Sequence, residues 1–250
     1  MRIETSTPSS DPKSSFAVRC QSIVKEFGSG QTKIRVRHQI DLDIRYGEQT
    51  FIVGPSGCGK TTLVSVIAGL LRATSGNVEV LGYDLAKLRG GRLVDFRAKN
   101  LGFIFQQFNL LPSLNAVENA AVPLIVQGHS HSHAKRMAGR LLDKLDMGKH
   151  LHKFPNQLSG GQQQRVAIAR SMVHDPKLVI CDEPTASLDA QSGQAVMEML
   201  RDLASASHQA VIVVTHDNRI YSFADRIVHI QDGRISPQES HAQTISSQHP

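Results

Sequence analysis

Gly54-Pro55-Ser56-Gly57-Cys58-Gly59-Lys60-Thr61-Thr62 is the stretch whose reading decides the fold. It fits G-x-x-x-x-G-K-[ST], the phosphate-binding P-loop. Its flanks suit the mechanism: Phe51-Ile52-Val53 before it is apolar and β-prone, and Thr62 to Leu70 after it carries apolar residues on one helical face. Strand, glycine loop and helix are therefore expected in succession. The glycines let backbone N–H groups converge without interference from Cβ atoms, and the helix N-terminus adds a dipole that favours an anion. In such a loop Lys60 reaches the terminal phosphates and the Thr61 hydroxyl serves as a Mg²⁺ ligand.

Outward from this loop, strands and helices alternate. Phe16 to Phe27 and Ile34 to Ile44 read as strands joined by Gly28-Ser29-Gly30. A further strand is expected over Asn77 to Leu81, a short polar helix over Gly90 to Lys99, and a strand over Leu101 to Phe105. Asn115 with Glu118 has the spacing of a capping box, so a helix should run to about Val126. Helices are also expected from Ala134 to Met147, from Ser159 as cap to Val173, and from Gly193 to Ala204. Leu178 to Cys181 and Ala210 to Val214 are continuous apolar runs, as strands buried on both faces require. Ile220 to Ala224 reads as helical and Arg226 to Ile230 as a strand. The pattern predicts an α/β core with an inserted helical segment at about 107–173, a disordered N-terminal tail over residues 1–15 and a flexible tail over 236–250.

Bulk properties fit a globular chain. Its 250 residues are 40% hydrophobic and 20% charged. No apolar run approaches the roughly 18 residues of a membrane span, and the first 15 residues lack the apolar core of a secretory signal. Three scattered cysteines, Cys20, Cys58 and Cys181, form neither a disulfide framework nor a zinc site, which points to a reducing, cytosolic compartment. The net charge of +6 is spread, and no stacking aromatics interleave with it, so no nucleic-acid partner is expected. The run His129-Ser130-His131-Ser132-His133 lies in an expected loop without nearby Cys or acid and reads as solvated. Cys58, set in the phosphate loop, is predicted to react with alkylating reagents unless nucleotide protects it; the alternative is a small residue merely tolerated at that position.

Other stretches carry chemistry. Ser159-Gly160-Gly161-Gln162 opens a predicted helix with free backbone N–H groups, a second anion site. Leu178 to Cys181 runs into Asp182-Glu183; a carboxylate at a buried strand end can hold Mg²⁺ or its water, and the adjacent Glu183 can act as general base. Paired acids there also occur as a plain surface turn. His216 follows the run ending at Thr215, where a lone histidine can equally be structural.

With Leu158, the second anion site reads Leu-Ser-Gly-Gly-Gln, and Gln163, Gln164 and Arg165 follow. Over residues 16–235 the chain resembles the ATP-binding subunits of ABC transporters. The resemblance implies a P-loop NTPase (RecA-like) core, an antiparallel β subdomain and an inserted α-helical subdomain. It implies ATP and Mg²⁺ as cofactors, with Thr61, Gln106 and Asp182 toward the metal. It also implies Glu183 and His216 as catalytic residues, with Gln106 as the Q-loop glutamine; Gln107 is the competing register. Asp189, in Ser187-Leu188-Asp189, resembles the D-loop that crosses a dimer interface. Phe27 resembles the aromatic that stacks on adenine, the alternative being a core Phe.

Leu93 to Arg97, Leu101 to Gln106, Asn109-Leu110-Leu111-Pro112, Val117-Glu118-Asn119 and Val122-Pro123-Leu124 are similar to the lipoprotein-release and macrolide-exporter subfamily. The closing run Val214 to Ile220, with Ala224 to Ile227, is most similar to DevA-type ATPases of cyanobacterial glycolipid exporters. This implies a head-to-tail dimer of two copies and a separate transmembrane permease subunit, with a membrane-fusion adaptor and an outer-membrane channel beyond it. The implied location is the cytoplasmic face of the inner membrane. The alternative is a non-transport ATPase acting as a transmembrane regulator, such as a cell-division complex. A DNA-repair ATPase does not fit, because the interval from Lys60 to Ser159 lacks heptads and cysteine pairs.

Overall fold

The computed structural model describes residues 15–27, 34–35, 39–206 and 208–241. Most of the expected N-terminal tail, the Gly28-Ser29-Gly30 loop and residues 242–250 lie outside the described residues. The elements in chain order are β1 (Phe16–Val24), β2 (Glu26–Phe27), β3 (Ile34–Arg35), β4 (Ile40–Arg45), β5 (Gln49–Val53), α1 (Lys60–Ile67), β6 (Ser75–Val80) and β7 (Tyr83–Asp84). Then follow α2 (Gly91–Asn100), β8 (Leu101–Ile104), α3 (Ala116–Val126), α4 (His131–Lys144), α5 (Gly160–Met172) and β9 (Leu178–Asp182). The last are α6 (Ala190–Ala206), β10 (Ala210–Thr215), β11 (Arg226–Gln231) and β12 (Arg234–His241).

A six-stranded sheet runs β12-β11-β5-β10-β9-β8, and a four-stranded antiparallel sheet runs β4-β1-β6-β7. In the larger sheet β8, β9, β10, β5 and β11 are parallel, and only β12 is antiparallel to its neighbour. The expected α/β P-loop core with antiparallel sheet and helical layer is therefore the fold.

Parallel strands buried on both faces need apolar residues throughout, and β5 is buried at all five positions. Alternate side chains go to opposite layers. Phe51, Val53, Val179, Cys181, Val211 and Val213 join one core with α3 to α6. Ile52, Leu178, Ile180, Ala210, Ile212 and Val214 join the other with α1 and the antiparallel sheet.

Register carries the functional consequence. Val53 pairs with Thr215, Val214 with Asp182, and Cys181 with Ile104. The carboxyl ends of β5, β10, β9 and β8 thus form one row. The residues that continue from them are Gly54, His216, Glu183 and Phe105-Gln106.

Some expectations need correction. His131 to His133 are not loop: Ser130 caps α4 by accepting from the His133 N–H at 3.4 Å. The cap starts the helix three residues before the expected Ala134. The His129 and His133 rings sit 5.3 Å apart, and no group of metal-ligating residues forms among the described residues. Helix α6 starts at Ala190 rather than Gly193 because Asp189 accepts from the Ser192 N–H at 2.9 Å. The chain does not fray at Ser236; β12 pairs with β11 as far as His241 opposite Arg226.

Helix α3 has the expected capping box between Asn115 and Glu118. Inside it Asn119 is fully buried, accepts from Leu111 N–H at 2.7 Å and donates to the carbonyls of Leu111, Leu114 and Asn115. These bonds fix the loop between β8 and α3. Replacing Asn119 with Ala leaves buried backbone groups unpaired. The expected loss is about 2 kcal/mol, measured as a lower urea midpoint with unchanged slope.

Candidate functional site

The loop from Gly54 to Gly59 leaves β5 and enters α1 without a side-chain cap, so no side chain competes with a ligand for the helix N-terminus; within the loop the Cys58 N–H donates to the Pro55 carbonyl at 3.3 Å. Gly54 sits at φ +152°, and a Cβ there would strike the Ile230 carbonyl, so no larger residue fits. Lys60 is buried at 7% exposure. Its ammonium donates to the Gly54 carbonyl at 2.7 Å and the Pro55 carbonyl at 3.0 Å. A cation folded onto the loop's own carbonyls marks where negative charge belongs. The Cys58 thiol lies 3.9 Å from that ammonium and is itself buried, which shields it from the reagents expected to reach it.

Thr61, the second residue of α1, donates its hydroxyl to Asp182 Oδ1 at 3.4 Å. Burial, with the neighbouring Glu183 charge, pushes the Asp182 carboxyl above the usual carboxylate range, against the lowering effect of the Thr61 bond and Lys60. A hydroxyl and a carboxylate oxygen, hard donors side by side at a partly desolvated position, fit a divalent magnesium ion.

The Glu183 carboxylate is held at both oxygens. His216 Nδ1 donates to its Oε1 at 2.6 Å and the Thr215 hydroxyl to its Oε2 at 3.3 Å. Its own N–H donates to the Val214 carbonyl at 2.8 Å. The backbone stands at φ +53°, a left-handed conformation that costs about 1 kcal/mol for a residue with a Cβ. Next to His216, Asp217 accepts two bonds of 2.8 Å from Arg219 and one of 3.1 Å from Thr185. The Arg219 guanidinium holds the Asp217 carboxyl below its ordinary value.

These contacts bring Lys60, Thr61, Asp182, Glu183 and His216 together. Gln106 and Gln107 are both exposed in the turn after β8. Phe27 lies on the β2–β3 ribbon, paired with Ile34. Asp189 caps α6 and accepts from both the N–H and the hydroxyl of Ser192, which hold its carboxyl below the usual range.

Ser159 and Gln162 form a complete capping box at the start of α5. The atoms nearest a Cβ built on Gly160 belong to Leu188, Ser187 and Phe108, and on Gly161 to Ser192. This loop thus lies against the segment around Asp189. Thr215 and Asp217, which flank His216, were missed by the sequence reading although adjacency alone marks them. Arg170 was also missed: from α5 it donates to the carbonyls of Phe108 and Asn109 at 2.6 Å each, a link across 61–62 residues with no local signal.

The ABC transporter family profile matches residues 37–186. This chain belongs to the ABC transporter family. It is 41% identical over 230 residues to the lipoprotein-releasing system ATP-binding protein LolD of Shewanella denitrificans, covering 92% of this chain and 99% of that one. It is 43% identical over 218 residues to the macrolide export ATP-binding/permease protein MacB of Aggregatibacter actinomycetemcomitans, covering 87% of this chain but 34% of that protein. Both relatives come from the subfamily that the sequence resembled. Among solved structures it is similar to the dimeric, post-hydrolysis ATP-binding cassette MJ0796 bound to ADP and Pi. The TM-score is 0.82 at 35% identity, over 90% of this chain and 98% of that one.

The raised Asp182 pKa has a sign. The folded chain holds this proton more tightly than the unfolded chain, so its contribution to stability falls as pH rises above the ordinary carboxylate range. Nucleotide-free Asp182→Asn should therefore melt higher than the parent at pH 7.5, the difference closing toward pH 4. Magnesium with ATP should raise the parent's melting temperature and not the variant's. Differential scanning fluorimetry across pH checks both.

Proposed function

We propose that this chain is the ATP-hydrolysing subunit of an ABC exporter and works as a head-to-tail pair. The supporting observation is the Glu183 carboxylate, bonded to His216 beside Asp182 and directly after the row of strand ends that carries the phosphate loop. The phosphate loop with Lys60 binds the β- and γ-phosphates of ATP, and Phe27 offers an aromatic face to the adenine. Thr61 and Asp182 would hold Mg²⁺ with Gln106 nearby, and the ion would neutralise charge on the phosphates. Glu183 takes a proton from the attacking water while His216 orients it. Ser159, Gly160, Gly161 and Gln162 pack beside the Asp189 segment and would serve the nucleotide held by a second copy, with Asp189 at the interface.

An apolar groove between β8 and α3 lies beside Gln106, lined by Phe103, Phe105, Pro123 and Val126. Val126 is 65% exposed and Leu111 46%. This groove supports a separate permease as partner, and no described helix is long and apolar enough to cross a membrane. The chain then sits at the inner membrane, peripheral on its cytoplasmic face. The likeness to LolD and MacB supports export of a lipid, glycolipid or lipoprotein-type cargo, and the DevA-like closing run favours glycolipid. A membrane-fusion adaptor and outer-membrane channel complete the proposed path.

Glu183→Gln should keep ATP binding, lower phosphate release by about a hundredfold or more, and elute as a dimer when ATP is present. Phosphate release near the parent rate would remove Glu183 from the role of base.

A further inference from the structure

Gln164 lies in the first turns of α5, just past Gly160 and Gly161 of Leu158–Gln162, the family's signature loop, and is 1% exposed. Its Nε2 donates to the Pro184 carbonyl at 2.7 Å. Its Oε1 is buried and accepts no hydrogen bond among the described residues. A half-satisfied buried amide is costly, and packing alone would favour Leu or Met at this position. The residue type therefore calls for a reason other than stability, and its one bond points to it. Pro184 immediately follows Glu183 and has no N–H of its own with which to anchor the segment.

The chain around the base is thus held from two sides. On one side β10 grips Glu183 through the Val214 carbonyl, the Thr215 hydroxyl and the adjacent His216. On the other, α5 grips Pro184 through Gln164. Glu183 stands between these grips at φ +53°, where a small displacement of either grip changes where the carboxylate lies. Helix α5 is a continuous element of 13 residues whose N-terminus is the Ser159–Gln162 capping box. Whatever moves the signature loop moves Gln164 with it.

In the two-copy arrangement proposed above, on which this inference rests, a chain's signature loop engages the nucleotide on its partner's phosphate loop. Its Glu183 serves the nucleotide on its own loop. Gln164 therefore joins the two sites within one chain. We propose that Gln164 is a positioning residue that transmits nucleotide engagement at the signature loop to Glu183 of the same chain, so that each site becomes competent when the other is occupied.

The test uses two full-length copies joined by a flexible linker. The parent fusion carries Glu183→Gln in the first copy, leaving one working base in the second. Gln164→Met, which keeps the volume and removes the amide, is then placed in either copy. With Gln164→Met beside the working base, phosphate release should fall about tenfold at saturating ATP, with KM within twofold. With Gln164→Met in the other copy, whose signature completes the working site, release should stay within twofold of the parent fusion. The two fusions have the same composition, so a general loss of stability would affect both alike. Equal loss in both, a greater loss in the second, or no loss in either would overturn the proposal. If the parent fusion itself hydrolysed at the full two-site rate, the assignment of Glu183 would fail instead.

Discussion

The register of the parallel sheet is the constraint on which everything else depends. Strands β5, β10, β9 and β8 are hydrogen-bonded so that Val53, Thr215 with Val214, Asp182 with Cys181, and Ile104 stand in one row. A one-residue slip in any pair would turn its buried side chains toward the wrong core. The two apolar layers therefore fix the register, and the register fixes the chemistry. Because each strand ends at the same level, the residues that leave the strands converge without any strand carrying a site alone. Ligands in open α/β sheets sit at this carboxyl edge for the same reason.

Within that frame the site is held by unequal means. The phosphate loop is anchored by backbone shape and by the Lys60 ammonium on the Gly54 and Pro55 carbonyls. Those bonds are ones that a phosphate can replace. Asp182 is held at a cost, since burial favours its neutral form. Glu183 is held by strain together with three hydrogen bonds, from His216, Thr215 and its own N–H. A loop with satisfied carbonyls, an acid that favours a cation and a tethered base together make a site arranged for a triphosphate rather than for its own maximal stability.

Much of this was legible in the sequence, because the phosphate loop, the acidic pair and the signature loop are local patterns with local mechanisms. The capping boxes at Asn115 and Ser159 were equally legible. The Ser130 cap was less legible, because the polar run His129 to His133 has no apolar helical spacing to mark a first turn. Strand β12 was overlooked because Arg234 to His241 is polar; an edge strand needs only backbone pairing on one side and tolerates Pro237. The Gln164 and Arg170 bonds were not legible, since a glutamine or arginine within a helix gives no sign of a carbonyl 20 or 61 residues away. They follow from packing of the helical layer against the sheet.

The central claim is that each chain carries half of two sites. Hydrogen–deuterium exchange of Glu183→Gln protein, with and without ATP and over a range of protein concentrations, addresses it most directly. ATP should protect the amides of Gly54 and of Ser56 to Thr62 at every concentration at which it binds. The amides of Gly160 and Gly161 should be protected only as concentration rises and copies pair. Protection of both loops in parallel, independent of protein concentration, would mean that one chain closes the site by itself and would contradict the account.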